Sequence, residues 1–270
     1  MQITANLNAL SAVKGINVAN AAISRASERI STGLRINRSS DDPAGLGIAN
    51  KLKTQVGSFS KVLDSLNQAT AVTQIVDDSL SQIVDLLGYI RVAAVASLSG
   101  TASSSDLTAY QAEIDEYVDE IDSISNNAVW NGTSLMNTAS TMSIQSGIDS
   151  GDTTALTFDK ITASELGVSS LVVATSSAVT SIDDANDTVT AYQSYIGAKS
   201  NVLEVQSNMA DNNITNFSQA YGDIMNADMA RETGNLAVAQ MQRDAATAML
   251  AQSSNMNKDL VTYLLHSSWN

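Results

Sequence analysis

A chain of 270 residues with a formal charge of -14, one proline and no cysteine excludes several classes of protein at once. An acidic body is repelled by phosphates, so no nucleic-acid role is expected, and the lack of cysteine removes disulfide frameworks and thiolate metal sites. Hydrophobic residues are 44 % of the chain but aromatics only 4 %, so the core must be built from aliphatic side chains and alanine in narrow seams, which favours a mainly α fold of coiled-coil bundles over sandwiches and barrels.

The charge is unevenly placed: residues 1–61 carry +5, which leaves -19 for the remainder. The basic segment has two readings, a solvated helix face or a surface that meets an acidic segment of its own chain or of a neighbour. The first residues, Met1-Gln-Ile-Thr-Ala-Asn6, lack the basic and apolar blocks of a secretory leader, and no uninterrupted apolar run is long enough to cross a bilayer. Membrane insertion is therefore not expected, and if the protein works outside the cell it leaves by a route that reads no cleaved leader.

Along the chain, Ala9, Ala12, Ile16, Ala19, Ile23, Ala26 and Ile30 recur in steps of three and four. They predict either an ordinary amphipathic helix docked on its own domain or a terminal helix whose partner lies far away in sequence or in another chain. Gly33 ends this helix, residues 35–43 read as an irregular connector, and Asp42 with Pro43 predicts the capped start of the next helix, over 44–98.

That helix carries the organising pattern: Val62, Leu66, Ala69, Thr73, Val76, Leu80, Ile83, Leu87, Ile90 and Ala94 form an unbroken heptad seam. A period of 3.5 sustained this long stays in line only if helices supercoil, and at 1.5 Å per residue residues 62–94 make a rod of roughly 50 Å. After a loop at 99–105, with Ser105 or Asp106 as cap, Leu107, Tyr110, Ile114, Tyr117, Ile121 and Ile124 predict a shorter antiparallel helix. Trp130-Asn131-Gly132 reads as a turn, 142–148 and 155–161 as a β-hairpin, and 164–180 as a surface excursion too short to be a domain. The heptad returns in Ile182, Ala185, Val189, Tyr192, Ile196, Leu203, Ala210, Phe217 and Ala220, with Lys199, Gln206 and Asn213 as polar seam positions that fix register. A last helix, 224–265, has a looser seam in Leu236, Ala239, Ala246, Leu250, Leu260 and Leu264.

Chemistry is sparse. With His266 as its only histidine the chain assembles neither a catalytic triad nor a multi-histidine metal site, and no phosphate-cradling or zinc-binding run occurs. Glu113, Asp115, Glu116, Asp119, Glu120 and Asp122 read as the solvated face of a helix, and Asp183, Asp184 and Asp187 as first-turn residues at a helix N-terminus. No enzyme activity, metal or cofactor is expected.

Several runs taken together resemble bacterial flagellin. Ile3-Thr-Ala-Asn6-Leu-Asn-Ala-Leu10 looks like the family's opening, Ser31-Thr-Gly-Leu-Arg-Ile-Asn37 matches its most distinctive run, and Asp41-Asp-Pro-Ala-Gly45 is similar to the segment that follows. Glu120-Ile-Asp122 with Trp130-Asn-Gly132 parallels a family pattern that usually has Phe before Asn-Gly. Leu203-Glu204, Ala227-Asp228, Glu232, Leu250-Ala-Gln252 and Leu264-Leu265 then fall in the family's order, so the resemblance covers nearly the whole chain.

The resemblance implies a structural subunit that polymerises with copies of itself into the swimming filament. It would be exported unfolded through a type III conduit, with an export chaperone, a filament cap and hook-junction proteins as further partners. The terminal helices, 1–43 with 224–270, would pair as an inner domain around the filament channel, and 44–223 would form a rod with a hairpin and no large outer domain. The implied assembly residues are Leu7, Leu10, Ile16, Ile23, Ile30, Leu34, Arg35, Leu236, Leu250, Leu260 and Leu264. The rod core would be Leu66, Val76, Leu80, Ile83, Leu87, Ile90, Ile114, Ile121, Val189, Tyr192, Ile196 and Leu203.

Two departures stand out. Enterobacterial flagellins often read Leu-Gln-Arg-x-Arg-Glu-Leu-Ala-Val in the segment matched by Toll-like receptor 5, where this chain has Leu87-Gly-Tyr-Ile-Arg91-Val-Ala-Ala-Val95. With Tyr89, Arg91, Ala93 and Glu113 in that region, weak receptor recognition is expected. The second is His266-Ser-Ser-Trp-Asn270, beyond the leucines near which the family usually stops. The alternatives are a hook-filament junction protein, over which the matches at 31–37 and 250–252 favour the filament subunit, and a secreted adhesin using 164–180, against which the absence of aromatic residues in that segment argues.

Overall fold

The computed structural model describes residues 7–267, without the side chains of 257, 260, 261 and 263–267. The opening run Ile3 to Asn6, Trp269 and the side chains of Leu260, Leu264 and His266 thus lie outside the described part. The elements in order are α1 (Leu7–Thr32), α2 (Pro43–Ser97), α3 (Ser104–Asn127), β1 (Val129–Trp130), β2 (Thr133–Ser134), β3 (Ser140–Gln145), β4 (Thr153–Phe158), α4 (Ser176–Met225) and α5 (Met229–Ser267). They form two compact units, Met1–Thr54 with Asn216–Asn270, and Gln55–Thr215. Both divisions fall inside helices, α2 and α4, rather than at the ends expected from Pro43 and from the start of the last seam.

The second unit is organised by the α2 seam. Val62, Leu66, Ala69, Val72, Val76, Leu80, Ile83, Leu87, Ile90 and Ala94 are buried in one core with Ile114, Val118 and Ile121 of α3 and Ile182, Val189, Tyr192, Ile196, Leu203 and Ala210 of α4. Each fully buried aliphatic side chain in such a row contributes roughly 1.5–3 kcal/mol. Two contacts fix the relative direction of α2 and α4: Gln193 Nε2 donates to Ser81 Oγ (3.0 Å) and Arg91 Nε to Asp183 Oδ1 (2.7 Å). Residue numbers fall on one helix as they rise on the other, so the pair is antiparallel.

Several local expectations need correction. The cap of α3 is Ser103, whose hydroxyl accepts from Asp106 N while Asp106 accepts from Ser103 N, a reciprocal capping box that begins the helix before Ser105. The Ser103 backbone N–H, and then its hydroxyl, donate to the Asp106 carboxylate and hold it below its ordinary value. Trp130-Asn131-Gly132 is more than a turn: Asn131 (φ 48°) and Gly132 (φ 79°) form the two-residue loop of a hairpin pairing Val129 with Ser134. The larger hairpin pairs Ser140 with Phe158 through Gln145 with Thr153, slightly ahead of the expected strands, because Gly147 and the Asp149–Gly151 stretch make the turn.

Segment 164–180 is anchored in the core rather than an excursion. Leu166, Val168, Leu171 and Ala178 are buried, Gln111 donates to Leu171 O and accepts from Val173 N, and Ser97 Oγ accepts from Ala174 N. Its apolar residues up to 175 lack a period because the chain there follows no helix or strand, so pattern alone hides them. As α4 begins at Ser176, Asp183, Asp184 and Asp187 lie beyond its first turn, and Asp183 serves as the partner of Arg91, whose guanidinium it raises further. Likewise α5 starts at Met229 because residues 224 and 225 end α4.

The β3–β4 hairpin seats on α4 through polar contacts. Gln206, a seam position, exchanges hydrogen bonds with Thr154 Oγ1 (3.0 and 2.8 Å), Thr157 N donates to Tyr195 Oη, and Asp159 N donates to Tyr192 Oη (3.1 Å). Burial pushes the Tyr192 hydroxyl up to about 12, opposed by the N–H that Asp159 donates to it and aided by the Asp159 carboxylate. A phenol whose value is raised on folding favours the folded chain below its unfolded value, near 10, and loses that contribution as pH rises through the folded one. The melting temperature is therefore expected to fall between about pH 10 and 12 more steeply for the native chain than for Tyr192→Phe, as read by circular dichroism. Parallel slopes would contradict this seat.

Candidate assembly surface

In the first unit α1 packs along α5 through small side chains. Ala12, Ala19 and Ala26, seven residues apart, are buried, as are Ala239 and Ser253 on α5. A Cβ at Gly15 would rest 3.5 Å from Ala246 Cβ, so small residues face each other across the pair. Ile16, Ile23 and Ile30, and Leu236 and Leu250 opposite, flank this contact half-buried. Leu7 and Leu10 are exposed and lie outside it.

One charged contact is built into the pair. Arg29 NH1 lies 3.2 Å from Glu232 Oε1, and the Glu232 side chain is only 4 % exposed against 30 % for Arg29. Asn235 Nδ2 donates to the other carboxylate oxygen at 3.3 Å. A groove of about 240 Å³ runs beside them, lined by Arg25, Arg29, Glu232, Asn235 and Gln242. Arg29 and Glu232 were missed as interacting residues. Their sequence signal was charge at inward helix positions, Arg29 just ahead of the seam residue Ile30 and Glu232 ahead of Leu236.

The connector after α1 is equally specific. Gly33 takes φ 71° to end the helix, and Leu34 bridges Asn226 in antiparallel fashion. Ala227 N donates to Gly33 O, and Arg35 donates both its backbone N to Met225 O and its guanidinium to Ile224 O (2.7 Å). Leu34 and Arg35, expected at the assembly surface, thus make contacts within their own chain. Asp41 accepts from Arg38 N and Asn37 N, which holds its carboxyl below the ordinary value. Ile36, Ala49 and Met225 close a small core beneath. Asp42 Oδ1 accepts from Gly45 N at 2.8 Å, and a Cβ at Gly45 would meet the Asp42 carboxylate and Ile36 Cδ1, so a larger residue there would displace the capping side chain.

Of the residues expected at a receptor segment, all in the second unit, Tyr89, Arg91 and Glu113 are exposed and Ala93 is not. Tyr89 is exposed, its ring 5.8 Å from that of Tyr117, and Tyr117 Oη donates to the exposed Glu113. Arg91 is engaged by Asp183, and Ala93 is buried within the bundle. The open groove of about 960 Å³ beside the hairpin is lined by Tyr192, Tyr195 and Asp159, whose polar groups are largely used in seating β4. Among the described residues no group of three or more metal-ligating side chains converges. By length and composition α2 includes a stretch apolar enough to cross a bilayer, but its seam residues are packed in the bundle core.

These features define a helical subunit whose terminal helices pair with each other and leave apolar rows open. The sequence matches the bacterial flagellin N-terminal helical region over residues 3–141 and the C-terminal helical region over 179–264. A flagellin of Halalkalibacterium halodurans is 30 % identical over 272 residues, covering 98 % of this chain and all of that one. A flagellin of Salmonella berta is 31 % identical over 207 residues, 75 % of this chain but 41 % of that protein, so the chain spans less than half the length of this second relative. A structure of a flagellar hook-associated protein from Vibrio parahaemolyticus shares the fold, with a TM-score of 0.58 and 14 % identity over 69 % of this chain and all of that one.

The chain belongs to the bacterial flagellin family, a family of structural proteins, and is a structural subunit of the flagellar filament that polymerises with other flagellin subunits. Within it, Arg29→Ala strips the cation from a buried carboxylate and is expected to cost about 1–3 kcal/mol, less than a fully buried pair because Arg29 is partly solvated. The added change Glu232→Gln should recover part of the loss. Equal urea midpoints for wild type and Arg29→Ala would show that the contact contributes nothing.

Proposed function

We propose that α1 and α5 are the assembly device. The observation that carries this is the set of large apolar side chains left on α1 outside its pairing with α5: Leu7 is 73 % and Leu10 63 % exposed, and Val18 is exposed as well. A contact between two different faces of successive copies generates an open helical filament when its rotation does not close into a ring. In this reading the first unit is the inner domain around the filament channel and the second is the rod. Ile16, Ile23, Ile30, Leu236, Leu250, Leu260 and Leu264 complete the surface together with Leu7 and Leu10. The chain is exported unfolded by the flagellar type III system, with an export chaperone, the filament cap and hook-junction proteins as transient partners. It acts outside the cell and has no catalytic role.

Electron microscopy of purified chain seeded with short filaments tests this beside a truncation lacking residues 1–33. Full-length chain is expected to form long filaments and the truncation to stay monomeric. Filaments formed equally well by the truncation would remove α1 from the assembly device.

Recognition by Toll-like receptor 5 is proposed to be weak, because Tyr89, Val92 and Ala93 stand where many family members carry arginine, glutamate and leucine, and Arg91 is held by Asp183. Purified monomer should give little reporter signal in receptor-expressing cells. Robust signalling would refute it.

A further inference from the structure

One exposed face of α5, flanking the groove it makes with α1, has an unusual composition. Val238, Met241, Met249 and Met256 are all exposed, Met241 at 63 %, Met249 at 64 % and Met256 at 53 %. Their steps of three, eight and seven residues place them on one side of a 3.6-residue helix, with Ala245 and Gln252 between them. The stripe therefore carries no charge over five turns, in a chain whose formal charge is -14. Two copies repel each other through their acidic second units, and an uncharged apolar stripe on a terminal helix of the first unit is where they can approach without bringing carboxylates together. A second copy of this chain is the occupant these facts fit.

From this we infer that Met241, Met249 and Met256 form an oxidation-sensitive site that controls polymerisation. The inference rests on the reading of the terminal helices as the assembly device and adds a chemistry to it. A thioether is apolar, flexible and polarizable, suited to filling an irregular contact, and it is open to two-electron oxidants. Hydrogen peroxide is the oxidant: the sulfur lone pair attacks one peroxide oxygen, the O–O bond breaks, an S=O bond forms, and water leaves. Sulfur is oxidised by two electrons and peroxide is reduced by two. The product is a polar, chiral sulfoxide in the middle of a dry contact. Oxidised monomers stop adding to the filament, whereas subunits already assembled hide their sulfurs against the next copy. Met136, in the core of the second unit, is 0 % exposed and serves as an internal reference, and the exposed Met209 of α4 as a control outside the stripe.

The test begins with full-length chain treated with hydrogen peroxide, peptide mass spectrometry to place the sulfoxides, and seeded polymerisation. Met241, Met249 and Met256 should oxidise well ahead of Met136. The critical concentration should rise by about tenfold or more, equivalent to about 1.4 kcal/mol per added subunit. Met241→Leu/Met249→Leu/Met256→Leu, which conserves volume and polarity, should polymerise normally and keep doing so after peroxide, while Met209→Leu stays as sensitive as wild type. Methionine sulfoxide reductases should restore assembly of oxidised wild type. If oxidised wild type carries sulfoxides at the three positions yet polymerises at its original critical concentration, or if the triple leucine variant is as sensitive as wild type, the inference is overturned while the filament reading stands. Failure of untreated wild type to polymerise on seeds would overturn the reading beneath it.

Discussion

The second unit depends on a mismatch between 3.5 and 3.6. The α2 seam repeats every seven residues, and an isolated straight helix would let that stripe drift around its surface. Keeping Leu66, Leu80 and Leu87 in one line with Val76, Ile83 and Ile90 requires partner helices that wind with it, and α3 and α4 supply them. Once the winding is fixed, the register of the remaining pieces follows. Gln206 on α4 meets Thr154 on β4, Tyr192 meets the backbone of Asp159, and Ser125 on α3 donates to the carbonyl of Ile161. Polar groups at such places stabilise little by themselves, but each is satisfied in only one register, so they select the alignment that the apolar seam alone would leave degenerate by a heptad.

The first unit is built by a different rule. Its pair of helices meets through alanines, which bring backbones close but bury few carbon atoms, so each contact contributes a fraction of what a leucine in the α2 seam does. Specificity is supplied by Arg29 and Glu232 and by the connector, where Gly33, Leu34 and Arg35 bond to residues 224–227. The large side chains that would strengthen an intramolecular pair are instead half-buried beside it or exposed. That distribution makes sense in a filament subunit, where apolar area withheld inside one chain remains for contact between chains.

Legibility in the sequence followed periodicity. The seams of α2, α3 and α4 repeat for many turns, so their buried rows were readable position by position, and Asp42, Pro43 and Gly33 marked helix ends through local chemistry that needs no tertiary contact. Residues 161–175 were not readable, because Ile161, Leu166, Val168 and Leu171 are buried along an irregular backbone and leave no period. The capping residue of α3 was displaced because residues 99–105 offer several serines of equal propensity, and only the reciprocal bond between Ser103 and Asp106 selects among them. At the candidate assembly surface the isoleucine steps were visible, but the pairing of Arg29 with Glu232 joins residues at opposite ends of the chain. No local pattern encodes a contact of that span.

The uneven charge acquires a meaning from the same geometry. Of the basic residues near the start, Arg29 and Arg38 are engaged by Glu232 and Glu28 within the first unit, and Arg35 bonds a carbonyl. Lys14, Arg25, Lys51 and Lys53 remain at or near its surface, while the carboxylates of α3 lie on the second unit with few cations to offset them. The second unit repels its counterpart in any neighbouring copy, whereas the first carries nearly balanced charge, which suits the terminal helices proposed as the assembly device. Apolar stripes supply attraction without direction, since any two would gain from contact. Charge asymmetry supplies the direction, because contact through the second units is penalised and contact through the first units is not.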